Sequence, residues 1–179
     1  MNRNKFLKLT TDIGAGIISI PTFARSKTTK FVNILEPTIV RNENGKTIHI
    51  IGHTQTLKLP VKNINGSFTL IKEENHPGTG IPLDVHKNED EVFKVMEGEM
   101  ELTVGEKMAV LKPGDVAFGP KGVLHACKII GDKKAKVILR ELPAGNKKIF
   151  KELSKLHEGP PDFQVIAEIC GRYGINFIS

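Results

Sequence analysis

The chain has 179 residues, of which 39% are hydrophobic and 26% are charged. This length suffices for one domain with a sizeable core, and this composition excludes a chain that is disordered throughout. The net charge is +6, but the lysines are scattered and no helix-turn-helix or zinc-finger pattern occurs. We therefore expect a solvated basic surface and no nucleic-acid partner. No apolar run is long enough to span a bilayer, so no membrane span is expected.

Residues 1–24 have the pattern of an export signal. Arg3, Lys5 and Lys8 precede a short apolar stretch, IGAGIISI, and a small-residue cleavage site ends at Ala24. The RNKFLK stretch is similar to the twin-arginine export motif, with Asn4 in place of the second arginine, so two export routes stay open. The prediction is an extracytoplasmic protein, periplasmic or secreted. If these residues are instead a frayed tail or an amphipathic helix, the protein is cytoplasmic.

Residues 25–145 have the pattern of an all-β domain. The chain contains 17 glycines and 10 prolines, many of them between short apolar runs. Runs such as TQTLKLP, SFTLIKEE and AKVILREL read as strands, and Asn44-Gly45 and Asn65-Gly66 are turn dipeptides. Short strands at this regular spacing favour a sandwich or a barrel.

Residues 146–179 have a different, helical pattern. Apolar residues recur at helical spacing from Ile149 to Leu156, and Asp162 is placed to cap a second helix, FQVIAEICGR. We expect these two helices to pack on the outside of the sheet structure as a lid or support. Their expected core contacts include Phe163, Ile166 and Ile169.

Four residues form a candidate metal site. Asp84 and His86 are two residues apart in an apparent strand and therefore point to one face. Glu91 begins the next apparent strand, and His125 lies downstream. A carboxylate and an imidazole on an apolar face are costly to bury unless they are paired or bind something, and a metal ion is the simplest partner. Glu89 and Asp90, by contrast, are interpreted as part of a solvated acidic run.

The two cysteines are Cys127 and Cys170. A disulfide between them stays open outside the cytoplasm, since the sequence alone does not determine pairing. Cys127 shares a face with His125, and a free cysteine usually behaves as a small hydrophobic residue, so it is interpreted as a pocket wall. The complete set of predicted pocket-lining residues is Phe93, Val95, Phe118 and Cys127.

Two separated segments resemble the two signature motifs of the cupin superfamily. The first motif has glycine, His-x-His, glutamate and glycine, and the second has glycine, Pro-x-Gly, histidine and asparagine. The matching residues here are Gly78, Asp84-Val85-His86, Glu91 and Gly98, then Gly114, Pro120-Lys121-Gly122, His125 and Ile129. Asp84 replaces the first histidine, and Ile129 replaces the asparagine. The PAG stretch and the GPP…RYGI tail look like a single-domain, quercetin-dioxygenase-like group.

This resemblance implies a double-stranded β-helix, or jelly-roll barrel, with a divalent metal in its mouth held by His86, Glu91 and His125. Iron, manganese, nickel, copper and zinc are not distinguished. Three alternatives stay open for Asp84. It is a fourth ligand, or it lies behind a two-histidine, one-carboxylate set, or the metal site is lost and the barrel binds an organic ligand. The resemblance also implies a homodimer.

Several functions agree with this site. The first is a dioxygenase that cleaves a flavonoid-like or other small aromatic or enolic compound, with Glu91 as a proton acceptor if it leaves the metal. An isomerase or epimerase acting on a sugar acid would use the same ligands. The non-catalytic alternatives are a small-molecule-binding cupin and a structural interaction protein.

Overall fold

The computed structural model describes residues 35–50, 52–59, 61–145, 147–156 and 162–178. The predicted export signal at residues 1–24 lies outside these ranges. The described strands and helices, in chain order, are β1 (Lys46–Ile50), β2 (His53–Leu57), a 3-10 helix (Val61–Ile64), β3 (Thr69–Asn75), β4 (Gly80–His86), β5 (Asp90–Glu97), β6 (Glu99–Val104), β7 (Lys107–Leu111), β8 (Val116–Gly119), β9 (His125–Ile130), β10 (Ala135–Leu142), α1 (Lys147–Leu153), α2 (Phe163–Arg172) and β11 (Ile175–Phe177).

The strands form two antiparallel sheets. A six-stranded sheet has the order β1-β2-β3-β10-β5-β8, and a five-stranded sheet has the order β11-β4-β9-β6-β7. Sequential strands from β4 to β9 alternate between the two sheets except at the β6–β7 hairpin, which is the connectivity of a double-stranded β-helix. The predicted all-β fold with two C-terminal helices is therefore confirmed.

The alternating burial of β3 and β10 builds the inner face of the six-stranded sheet. In both strands every second residue is buried, and the buried set includes Glu73 and Glu141 as well as aliphatic residues. Cross-strand pairing arranges these residues in rows. Along β10, the three rows that approach the interior are Thr69–Glu141–Glu91, Ile71–Leu139–Phe93 and Glu73–Val137–Val95. An apolar row thus separates two rows that carry acidic side chains.

Gly98 lies in the turn between β5 and β6, where the backbone passes close to the start of β10. Its φ is +73°, and a Cβ atom there would lie 2.7 Å from the Cα of Ala135 and 2.8 Å from the carbonyl oxygen of Lys134. Only glycine combines this left-handed backbone with so close an approach to β10. The first-motif glycine therefore serves packing and does not contact the candidate metal site.

The C-terminal segment does more than pack outside the barrel. A further strand, β11, follows α2; it pairs with β4 and places Ile175 opposite His86 and Phe177 opposite Asp84. The prediction of helices alone missed this strand. Ile166 and Ile169 are buried as expected, but Phe163 is 42% exposed, so its assignment to the core is wrong. Of the described helices, neither has the length and hydropathy that crossing a bilayer requires.

Candidate metal centre

Three strands from both sheets bring the candidate ligands together. Asp84 and His86 lie on β4, and His125 begins β9, where it pairs with Asp84. Glu91 lies near the start of β5 in the opposite sheet. All four side chains are buried. The period-two spacing of β4 therefore places Asp84 and His86 side by side, as the sequence predicted.

The four side chains converge through their terminal atoms. Asp84 Oδ2 lies 3.3 Å from His86 Nε2, and Asp84 Oδ1 lies 3.5 Å from His125 Nε2. Glu91 Oε2 lies 2.7 Å from His125 Nε2, and Glu91 Oε1 lies 3.9 Å from His86 Nε2. Both imidazoles thus present Nε2 to the same two carboxylates.

This arrangement fits a metal ion. Ligand atoms about 2.1 Å from a shared ion lie roughly 3.0–3.4 Å apart when they are adjacent in its coordination sphere. The two Asp84–histidine distances are close to that range, and one ligand atom from each of Asp84, His86 and His125 falls within 4.8 Å of the others. Asp84 Oδ1 is buried and has no hydrogen-bond partner among the residues that the structure describes. These observations favour the alternative in which Asp84 is itself a ligand.

The charges around His86 and His125 favour the protonated form of both imidazoles when no metal is bound. Burial alone lowers the pKa of His86, but its hydrogen bond to Asp84 and the charges of Glu91, Asp84 and Glu141 outweigh burial and raise that pKa to about 9. Burial is likewise outweighed at His125, where the bond to Glu91 raises the pKa. Protons on the imidazoles therefore balance the carboxylates, a task that a divalent ion would take over.

Glu89 lies near Nδ1 of His86, and its burial differs from what the sequence predicted. It is only 2% exposed, so its assignment to a solvated acidic run is wrong. Its Oε2 atom lies 4.0 Å from Nδ1 of His86, and both atoms are buried without a hydrogen bond among the described residues. Burial raises the pKa of the Glu89 carboxyl. The absence of a side chain at Gly145 makes room for it, because a Cβ there would lie 2.0 Å from Glu89 Oε1.

A cavity of about 100 Å³ adjoins the four candidate ligands. Of the four predicted pocket-lining residues, Phe93 and Cys127 line it. The prediction is wrong for the other two. Val95 is fully buried in the core away from the cavity, and Phe118 is 56% exposed because β8 turns it outward.

The sequence did not identify several residues that line this cavity. Gln55, Glu73 and Glu141 reach it from the six-stranded sheet, and Ile149, Phe150 and Leu153 close it from α1. The alternating pattern of β3 and β10 does indicate that Glu73 and Glu141 face inward. Each lies an even number of residues from aliphatic residues of its own strand and therefore points to the same face. Among the described lining residues there is no lysine or arginine.

Both cysteines are free and line the same cavity. Burial raises the pKa of Cys127 to about 12 and that of Cys170 to about 11. Each is therefore a neutral thiol at physiological pH, which agrees with the pocket-wall interpretation of Cys127.

Comparisons with known proteins agree with this fold. Residues 72–139 match the family model described as a cupin domain. No curated protein sequence is similar enough to count as a relative. Among solved structures, a predicted oxalate decarboxylase from Thermotoga maritima has a TM-score of 0.55 at 19% identity, over 59% of this chain and 99% of that chain.

Two further solved structures are similar. An RmlC-like cupin from Shewanella frigidimarina has a TM-score of 0.53 at 22% identity, over 61% of this chain and 93% of that one. KdgF from a Halomonas species has a TM-score of 0.52 at 14% identity, over 60% of this chain and 94% of that one. At these identities the similarity shows the fold alone.

Proposed function

We propose that this chain, which belongs to the cupin superfamily, binds one divalent metal ion and uses it to bind a small organic molecule in the adjoining cavity. Asp84, His86 and His125 would hold the ion, and Glu91 would complete the set or exchange with substrate. The observation that carries this proposal is the convergence of both imidazole Nε2 atoms on two buried carboxylates, at separations suited to a shared ion.

The reaction we propose is dioxygenation of a small enolic or aromatic compound, in which both atoms of O₂ enter the substrate. An iron(II) or manganese(II) ion with histidine and carboxylate ligands would supply coordination positions for the reactants. Phe93, Phe150 and Leu139 line the cavity, and their apolar surface would help to keep water away from the reactants. Glu91 lies within hydrogen-bond distance of His125 and is placed to accept a substrate proton.

The dimensions of the cavity limit the substrate. Sites for drug-sized ligands have volumes of roughly 300–1,000 Å³, and this cavity has about 100 Å³. A three-ring flavonoid would not enter without displacement of side chains from α1. The proposal is therefore restricted to compounds about the size of one aromatic ring. The lack of lysine and arginine among the described lining residues also disfavours sugar acids.

Metal analysis of defined variants tests the proposal. Wild-type protein should retain about one equivalent of iron(II), manganese(II) or zinc(II) after chelation, reloading and desalting. His86→Ala and His125→Ala should each retain almost none, because each removes a buried ligand. Asp84→Ala should weaken binding at least tenfold. Lys87→Ala, which alters an exposed neighbour of His86, is the matched control and should bind as wild type does.

Two outcomes decide the proposal. Full metal content in both histidine variants would remove the assigned site. Oxygen consumption by iron-loaded protein with catechol-sized enols and phenols tests the reaction. Metal binding without any oxygen consumption would leave a small-molecule-binding cupin in place of a dioxygenase.

A further inference from the structure

A second group of buried polar side chains lies on β2 and β3. Its members, here called the distal cluster, are His53, Gln55, Glu73 and Asn75, and none is more than 8% exposed. Gln55 Nε2 donates to Glu73 Oε1 at 2.7 Å, and Asn75 Nδ2 donates to Glu73 Oε2 at 3.2 Å. Asn75 Oδ1 in turn accepts from the backbone N–H of Thr54 at 2.8 Å. The Glu73 carboxyl group is therefore held in a fixed orientation from both sides.

The distal cluster reaches the cavity at the end remote from the candidate metal centre. Gln55 and Glu73 both line the cavity, together with Asp84, His86 and Glu91. Glu73 belongs to the row of Val137 and Val95, two rows along β5 from Glu91. Four residues of a strand span about 13 Å. The cavity thus has a polar group at each end and an apolar row, which contains Phe93 and Leu139, between them.

The cavity also has a distinct charge character. Its described lining includes the acidic residues Glu73, Asp84, Glu91 and Glu141, two histidines and no lysine or arginine. At the end remote from the candidate metal centre, an anionic group would meet the Glu73 carboxyl group, with no lysine or arginine among the described lining residues to pair with. A ligand that donates a hydrogen bond would be favoured at Glu73, since a carboxylate has about four acceptor sites and Gln55 and Asn75 donate to two of them. His53 Nδ1 lies 3.5 Å from Glu73 Oε2 and donates no hydrogen bond to it at that distance.

We propose, on the basis of the proposed metal-dependent function, that this cavity selects small uncharged or cationic molecules with a hydroxyl or amino group at the end remote from the metal. Glu73 is the acceptor for that group, and Gln55 and Asn75 position it. The middle of the ligand is apolar and packs against Phe93 and Leu139. Small carboxylic acids of the same length are rejected.

A panel of para-substituted phenols tests this selectivity. The probes are hydroquinone, 4-methylphenol and 4-hydroxybenzoate, titrated without oxygen into zinc-loaded wild-type protein by calorimetry. Hydroquinone and 4-methylphenol have nearly the same size, but only hydroquinone donates a hydrogen bond at the far end. Hydroquinone should bind at least tenfold more tightly than 4-methylphenol, and 4-hydroxybenzoate should bind most weakly. Equal binding of the first two, or tightest binding of the benzoate, would overturn the proposal.

The Glu73→Gln variant tests whether Glu73 causes the preference for hydroquinone. This change removes the carboxylate but keeps the side-chain shape, so the preference for hydroquinone should fall below threefold. Glu74→Gln is the matched control, because Glu74 is the next residue of β3 and faces outward in an ion pair with Lys72. A folded Glu73→Gln protein with unchanged selectivity would show that the distal cluster only joins β2 to β3. If that variant does not fold, the wild-type panel alone still decides the selectivity.

The same experiment separates this inference from the proposed function. Metal content is measured before any titration. If zinc does not bind, the proposed function fails, and the panel is titrated into metal-free protein, where a preference for hydroquinone still supports Glu73 as acceptor. If zinc binds but no donor preference appears, the metal site stands and the ligand selectivity is wrong.

Discussion

At the scale of single residues, Glu89 provides the candidate metal centre with a buried carboxyl group beside Nδ1 of His86. A histidine that binds a metal through Nε2 carries a proton on Nδ1, and a carboxylate partner for that proton fixes the ring and strengthens the ligand. In this chain Nδ1 of His86 faces Glu89 Oε2 at 4.0 Å, too far for a hydrogen bond. We expect this gap to close when a metal engages Nε2.

The corresponding prediction is that Glu89→Ala weakens zinc binding about 10- to 100-fold, the usual effect of losing such a partner. Competition with a chromophoric chelator measures the affinity. Gly145→Ala should act in the same direction, because its Cβ would displace Glu89 Oε1. Glu97→Gln, on an exposed site of β5, should bind zinc as wild type does. Wild-type affinity in Glu89→Ala would show that this carboxyl group does not support His86.

The same residues show how much of the site the sequence predicts. His86, Glu91 and His125 carry family spacing, so their convergence could be expected from the sequence alone. For Glu73 and Glu141 the only indication is that they alternate in step with aliphatic residues of their strands. This indication is easily dismissed, because acidic residues usually face solvent. For Glu89 no local signal exists. Its burial depends on the close approach of Gly145, which is distant in sequence.

At the scale of elements, β11 is the part of the fold that the sequence did not predict. It has only three residues, and its partner β4 lies about ninety positions earlier in the chain, so no local periodicity reveals it. Gly174 makes the connection from α2. Its carbonyl oxygen accepts from the backbone N–H of Lys87 at 2.8 Å, and Asn88 donates to the carbonyl of Tyr173 at 3.1 Å. The C-terminal segment is thereby joined to the loop after His86.

Two glycines at the end of α2 should respond to alanine with opposite signs. Gly174 has a φ of +87°, and a Cβ there would lie 2.8 Å from Asn88 Nδ2. Gly174→Ala should therefore destabilise the protein by about 1–2 kcal/mol from the backbone strain alone. Gly171 lies within α2, and a Cβ there meets nothing closer than 3.7 Å, so Gly171→Ala should stabilise the protein by about 0.5–1 kcal/mol.

Urea unfolding followed by circular dichroism measures both effects. The pair is informative because the two substitutions are chemically identical and lie three residues apart. A Gly174→Ala protein at least as stable as wild type would contradict the tight connection between β11 and the loop after His86.

At the scale of the whole molecule, two of the four edge strands expose apolar side chains in the part of the chain that the structure describes. β7 ends the five-stranded sheet and β8 ends the six-stranded sheet. Both strands carry exposed apolar side chains, here called the edge patch, whose members are Met108, Val110, Val116 and Phe118. An open edge with exposed apolar groups favours association with another chain, and soluble proteins usually protect such edges with charge or cover them.

We expect the edge patch to be covered by a second copy of this chain, so that the protein is a homodimer in solution. Light scattering coupled to gel filtration should give twice the monomer mass. The double variant Met108→Lys and Phe118→Lys should give the monomer mass, because lysine on an edge strand blocks pairing. Val165→Lys, which changes an exposed apolar residue of α2, is the control and should remain dimeric.

Since the edge patch lines no part of the cavity, the monomeric variant should keep its zinc. A wild-type monomer, or a double variant that stays dimeric, would show that the edge patch does not join two copies.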